Sequence, residues 1–284
     1  MNILKNKIDF AVIVSVKNAN PNGDPLNGNR PRENYEGYGE ISDVCLKRKI
    51  RNRLMDMGEP VFVQSDDRCL DGFKSLRDRA DSCEPLKKAE KAKDKDAFAA
   101  AACEAWMDVR SFGQVFAFKG IDVSVGVRGP VSVHPAFSLS PITIEDIQIT
   151  KSVNSVTGDK KSSDTMGMKH RVAFGLYVFY GSINCQLAEK TGFTEEDAEK
   201  IHQALKTLFE NDLSSARPDG SMEVCRVYWW KHNCSTGQYS SAKVHGSLKI
   251  TEKCEFPKSF EDYEIDGERL KGLEGLKPEV YEGI

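Results

Sequence analysis

Three features of the chain predict an α+β fold, an antiparallel sheet backed by two helices. Ile8–Lys17 is rich in Val and Ile and has the length of a buried strand. Ser42–Met57 and Thr194–Asp212 repeat apolar residues at helical spacing. Between and after those helices the β signal returns, so that, stripped of insertions, the order runs strand, helix, strand, strand, helix, strand.

The first strand, IDFAVIVSVK, belongs at the centre of the sheet because its apolar run is nearly continuous. It leads into NANPNGDPLNGNRPR, where Asn-Pro, Asn-Gly, Asp-Pro and Gly-Asn mark a long ordered loop rather than a hairpin. Gly23 and Gly28 leave room there for backbone N–H groups to approach a phosphate, and Arg30 and Arg32 add charge.

Ser42 is the N-cap of the next helix, Asp43 complements its dipole, and Gly58 and Pro60 stop it. Leu46, Ile50, Leu54 and Met57 form one stripe, with Lys47 and Arg51 along one edge and Lys49 and Arg53 along the other. With Arg48, five cations occupy the seven positions 47–53. Each like-charge pair four residues apart costs roughly 0.2–0.5 kcal/mol in an isolated helix. Asp43 and Asp56 relieve part of this, and an external polyanion would offset the rest. A solvated surface helix is the alternative.

Residues 61–84 are irregular, with a short helix expected around Asp71–Arg79. Pro85–Asp108 is alanine-rich and reads as one helix, solvated in its Lys/Glu half and packed in its Phe98–Trp106 half. Val109–Lys119, Ile121–Val127 and Val131–Val133 read as strands broken by Gly113, Gly120 and Gly129-Pro130. Ile142–Val153 and Arg171–Cys185 read as the arms of a projecting hairpin with a mobile tip. Thr194 with Asp197 resembles a capping box, and Ala198, Ile201, Leu205, Leu208 and Phe209 make that helix's buried face. Met222–Trp230 is a further strand, followed by weaker β signal and an acidic tail. The element order is ferredoxin-like or RRM-like, a common RNA-binding platform.

Composition narrows the functional classes. The 284 residues are 39% hydrophobic and 29% charged, enough for a substantial core. A net charge of −3 exerts no global pull on nucleic acid, so a polyanion site must be a local stripe. From Thr251 onward ten acidic residues face five basic ones. The eight cysteines are scattered without a CxxC pair, and neither a signal-peptide pattern nor an apolar run of about 18 residues occurs. The expectation is a cytoplasmic protein with reduced thiols and no membrane contact.

Lys151, Lys160, Lys161, Lys169, His170 and Arg171, with Met166 and Met168 near the tip, suit a hairpin that grips a nucleic-acid backbone while wedging against bases. Tyr228, Trp229, Trp230, Lys231 and His232 suit either base stacking or a core. Cys225, His232, Cys234 and His245 match no familiar zinc spacing, and neither metal nor cofactor is expected. No Walker A, G-x-S-x-G or H-E-x-x-H occurs. Asp24 beside Glu33 is the acid/base or Mg²⁺ candidate, although turn chemistry explains Asp24 equally well.

NPNGDP, GNRPR and SDVCLKRKIRNRL after the first strand, followed by DVRSFGQVFAFKG, VRGPVSV and MGMKHRVAFGLYVF, resemble the backbone subunit of type I-C CRISPR Cascade surveillance complexes, of the RAMP superfamily. The resemblance spans about Ile8 to Trp230. It implies a single elaborated domain over 1–284, a modified ferredoxin-like/RRM palm with inserted fingers and a thumb β-hairpin. Palm segments would be 8–57, 109–133 and 171–230, the finger insertion 58–108, the thumb 142–171 and an acidic extension 251–284.

The resemblance further implies a non-catalytic subunit of an antiviral defense complex, stacking with other copies of itself along crRNA as a homo-oligomeric filament. Each thumb would displace a nucleotide, leaving the other bases to pair with target DNA. Other Cascade subunits and a recruited helicase-nuclease would be its partners. By position, Lys47, Arg48, Lys49 and Arg51 would grip phosphates, Asn22, Gly23 and Arg30 would extend that cradle, and Lys151, Met166, Lys169, His170 and Arg171 would act from the thumb. Backbone contact without base contact would let one subunit serve any guide. The tail's packing partner is left open, a neighbouring subunit's basic face being one candidate. Two rival readings are a RAMP-type metal-dependent ribonuclease cutting target RNA with Asp24 and a free-standing RNA chaperone.

Overall fold

Ile8–Ala19 runs through the middle of an eight-stranded sheet, antiparallel to Met166–Ile183 on one side and to Met222–Lys231 on the other. The structure is a computed structural model that describes residues 2–118, 124–151, 153, 157 and 166–283. Lys119, the start of the strand expected from Ile121, and the hairpin tip with Lys160 and Lys161 lie outside the described residues. Beyond Met166–Ile183 come Ala136–Pro141 and then Tyr38–Ile41, while Glu279–Glu282 closes the opposite edge. Val131–Val133 and Ile144–Thr150 also pair with Met166–Ile183. With helices Asp43–Asp56 and Glu195–Lys206 on the sheet, the α+β order expected from the sequence is realised.

Alternation along the first strand divides its side chains between two cores. Phe10, Val12, Val14 and Val16 pack with Leu46, Ile50 and Leu54 of one helix and Ala198, Ile201 and Leu205 of the other. The Thr194–Asp197 capping box is present. Ala11 and Ile13 face the other way, with Tyr228, Trp230, Val244, Leu248, Tyr263, Leu273 and Leu276. Both sheet faces are therefore covered.

Tyr228, Trp229 and Trp230 are core residues and do not offer base-stacking faces. The acidic tail packs on its own chain: Leu273 and Leu276 are buried, and Glu279–Glu282 extends the sheet beside Met222–Lys231.

Residues 58–118 depart most from expectation. The short helix lies at Leu76–Ser82, later than Asp71–Arg79. The single helix expected over Pro85–Asp108 is three, Glu84–Lys91, Lys95–Ala105 and Met107–Phe112. The chain turns through Lys93 at φ 55 and becomes extended at Trp106. Val109–Phe112 is helical rather than strand, and Gly113–Phe116 pairs with Val125–Arg128. Phe62, Leu86, Phe98, Trp106, Phe116 and Val125 form a separate core.

Candidate nucleic-acid interface

Three pieces of chain converge where the first strand ends: the loop 20–32, the hairpin, and the 212–221 segment. The loop is a tight ladder, contrary to expectation, with Gly23 opposite Pro31 and Asp24 opposite Arg30. Asp24 caps the turn by accepting from Leu26 N at 3.2 Å, and Gly28 takes φ 58, which a side chain would strain. A Cβ on Gly23 would collide with Asn29, so this glycine serves close packing within the ladder. Asn22 Oδ1 accepts from Ser42 N at 2.9 Å and Ser42 Oγ at 2.8 Å, tying the loop to the helix cap.

The hairpin pairs Ile144–Thr150 with Met166–Val172, so its second arm starts at Met166, five residues before the expected Arg171. One face carries Met166, Met168 and His170 with Asp146. On that face Met166 and Met168 are 60% and 54% exposed. Arg30 Nη1 donates to Asp146 Oδ1 at 2.5 Å, and His170 Nδ1 lies 2.7 Å from the same oxygen. The bond from Arg30, then that from His170, hold the Asp146 carboxyl below its ordinary value of 3.8. From the other face, Lys169 Nζ donates to Ser215 O at 2.8 Å, and Arg171 pairs with Glu145 at 2.7 Å.

The cations of the basic helix are engaged within the chain. Lys49 is 4% exposed, forms an ion pair with Asp212 and lies over the Phe209 ring. Burial pulls its ammonium below the ordinary value, although Asp212 opposes this. Arg51, 13% exposed, donates from Nε to Asp108 at 2.9 Å. Arg48 donates to Val63 O at 2.6 Å, and Arg53 pairs with Glu210 at 2.5 Å. Lys47 pairs with Asp43 at 3.0 Å and stays partly exposed. The like-charge repulsion is thus offset by carboxylates of the same chain, and Lys49 and Arg51 are largely enclosed.

Arg32 and Arg217 are partly exposed, paired with Asp24 at 3.4 Å and Asp212 at 3.0 Å. Both act electrostatically on the Cys45 thiol, whose pKa burial raises. Lys17 is exposed where the first strand ends, and Lys151 is partly exposed beyond Thr150. Arg217 and Asp146 went unnoticed in the sequence. Pairing 146 with 170 requires the hairpin register, and Arg217 lies in a turn-rich connection without periodicity.

Among the described residues no group of three or more His, Cys, Asp or Glu could hold a metal ion. His232 donates from Nε2 to Asp9 at 2.8 Å and accepts from Gln238 N at 2.9 Å, so both ring nitrogens are engaged. Among them, too, no helix is long and apolar enough to cross a membrane.

The topology and this cation-lined, methionine-edged corner define a ferredoxin-like sheet protein with a candidate anion-binding face. Residues 6–268 match the family described as CRISPR-associated protein Cas7, and the chain belongs to it. A Haloferax volcanii relative, CRISPR-associated protein Cas7, is 26% identical over 228 residues, 74% of this chain and 66% of the relative's length, just under two thirds. A chain of a "CRISPR RNA-guided surveillance complex, pre-nicking" matches with TM-score 0.49 and 16% identity over 79% of this chain and 78% of that one. A second, from a "CRISPR RNA-guided surveillance complex", matches with TM-score 0.47 and 16% identity over 79% and 68%.

Proposed function

We propose that the chain is a non-catalytic backbone subunit of a CRISPR surveillance complex of type I-C, cytoplasmic, stacking with copies of itself along crRNA. Family membership over residues 6–268 carries this reading. In it the insertion is the finger region, the hairpin is the thumb, and the corner beside it takes the RNA backbone. Arg32, Arg217, Lys17, Lys151, Lys169 and Arg171 attract phosphates, while Met166 and Met168 lie against bases. Asn22, Gly23 and Arg30 shape the same site. Target DNA pairs with the presented bases, and cleavage belongs to a recruited helicase-nuclease. The ribonuclease reading is less well supported, because the Asp24 carboxylate is engaged with Leu26 N and Arg32.

The test begins with the 260/280 nm absorbance ratio of purified protein and the size of any recovered RNA. Bound RNA of uniform length, protected from nuclease at regular intervals, is the expected result. Irregular protection of monomers would favour the chaperone, and metal-dependent cutting of target RNA abolished by Asp24→Ala would establish the enzyme.

A further inference from the structure

Asp146 lies directly opposite His170 in the hairpin ladder, and its Oδ1 meets both His170 Nδ1 and Arg30 Nη1. One oxygen thereby joins the loop after the first strand to both arms of the hairpin. The contact continues at Gly28, where a Cβ would lie 3.9 Å from His170 Nε2. Past Val172 the ladder runs a further six residues to Met166, roughly 20 Å at about 3.3 Å per residue. A small rotation at the base therefore moves the exposed methionines far.

We propose that Asp146 is a positioning residue, which fixes the angle between hairpin and loop and so sets where Met166 and Met168 meet the RNA relative to the phosphate-binding cations. This rests on the RNA-binding reading above. The carboxylate repels phosphate, so Asp146 acts through Arg30 and His170 and does not touch RNA. Removing its charge releases the hairpin without removing a cation from the site.

Asp146→Asn keeps the side chain's shape and lowers its acceptor strength. In RNA-free protein, hydrogen exchange at amides of 144–150 and 166–171 should become about threefold faster, within the range of an exposed pair, with Ile8–Ala19 unchanged. On single-stranded RNA of guide length, affinity should stay within about twofold of wild type, since no phosphate contact is lost, while the regular nuclease protection pattern blurs. Asp146→Glu, which retains the charge, should restore part of the regularity. Unchanged exchange, or a pattern as regular as wild type, overturns the proposal. So does a fall in affinity parallel to the loss of pattern, which would make Asp146 an RNA-contact or folding residue. If the wild type protects no RNA, the RNA-binding reading fails, and the exchange comparison still decides whether Asp146 holds the hairpin.

Discussion

Lys49 Nζ is seated on the carboxylate of Asp212 across 163 positions of sequence, at a point where the lysine is 4% exposed. The most enclosed cation of the basic helix thus joins that helix to the segment following Glu195–Lys206. Asp212 also receives Arg217 at 3.0 Å, so the carboxylate balances two cations.

Lys49→Ala should therefore act on stability. Truncation leaves a cavity beside Phe209 and a half-paired Asp212, and a loss of about 2 kcal/mol is expected, below the full cost of breaking a buried pair because Arg217 remains. Lys49→Met should lose less, since it keeps the packing. Denaturant midpoints measure both, and RNA affinity per folded molecule should not change.

Arg51 and Asp108 give a sharper case. Asp108 is buried and accepts from Phe62 N at 2.7 Å, Val63 N at 3.1 Å and Arg51 Nε at 2.9 Å, connecting the basic helix to the insertion. Arg51→Ala leaves that carboxylate with only the more distant Arg48 as counter-charge and should cost about 3 kcal/mol in chemical denaturation. Arg51→Lys should recover only part, because an ammonium lacks the planar geometry of the guanidinium. A change below about 0.5 kcal/mol, the scale of an exposed pair, would contradict this account.

What could be read from the sequence tracks the range of the interaction. The first strand, the capped helix Glu195–Lys206 and the ferredoxin-like order rest on local periodicity and caps, and all three appear. The destination of a cation is not local. Lys49 and Arg51 satisfy a helix-edge pattern equally well whether their carboxylates come from a ligand or from Asp212 and Asp108. The same holds for Tyr228 and Trp230: the chain that follows them, returning with Val244, Leu248, Leu273 and Leu276, determines that their face is covered. The Ala-rich stretch breaks where propensity favours helix, at Lys93 and Trp106, because the chain bends there to close a separate core around Phe62 and Phe116.

Stability should fall in mild acid. Burial holds the His202 and His245 imidazoles below their ordinary value of 6.5. With folded values depressed, the unfolded chain takes up protons first, so their contribution is complete above about pH 6.5 and is lost as pH falls through the folded values. Burial alone would raise the Asp9 carboxyl, but hydrogen bonds from His232, Ser241 and Lys7 hold it below 3.8, adding a second loss in stronger acid. Denaturant midpoints should be flat from pH 8 to about 7 and decline toward pH 5. His202→Gln should make the decline shallower, and a profile that rises on acidification would contradict the assignment.

Arg32 and Arg217 should behave as the mirror image of Lys49. Each holds one carboxylate while remaining partly exposed, so an RNA phosphate can exchange for Asp24 or Asp212 without desolvating a buried charge. Arg32→Ala should cost under about 1 kcal/mol of stability, as exposed pairs do, and Arg217→Ala little more, because the half-buried Asp212 keeps Lys49 as its partner. Each should weaken binding of single-stranded RNA by a similar factor for unrelated sequences, and lower the salt-dependence slope by about 0.7, the value for one phosphate contact on a single strand. Fluorescence anisotropy from about 50 to 300 mM salt measures both quantities in one series. A loss confined to particular sequences would mean that these arginines read bases, and an unchanged slope would place the RNA backbone elsewhere on the molecule.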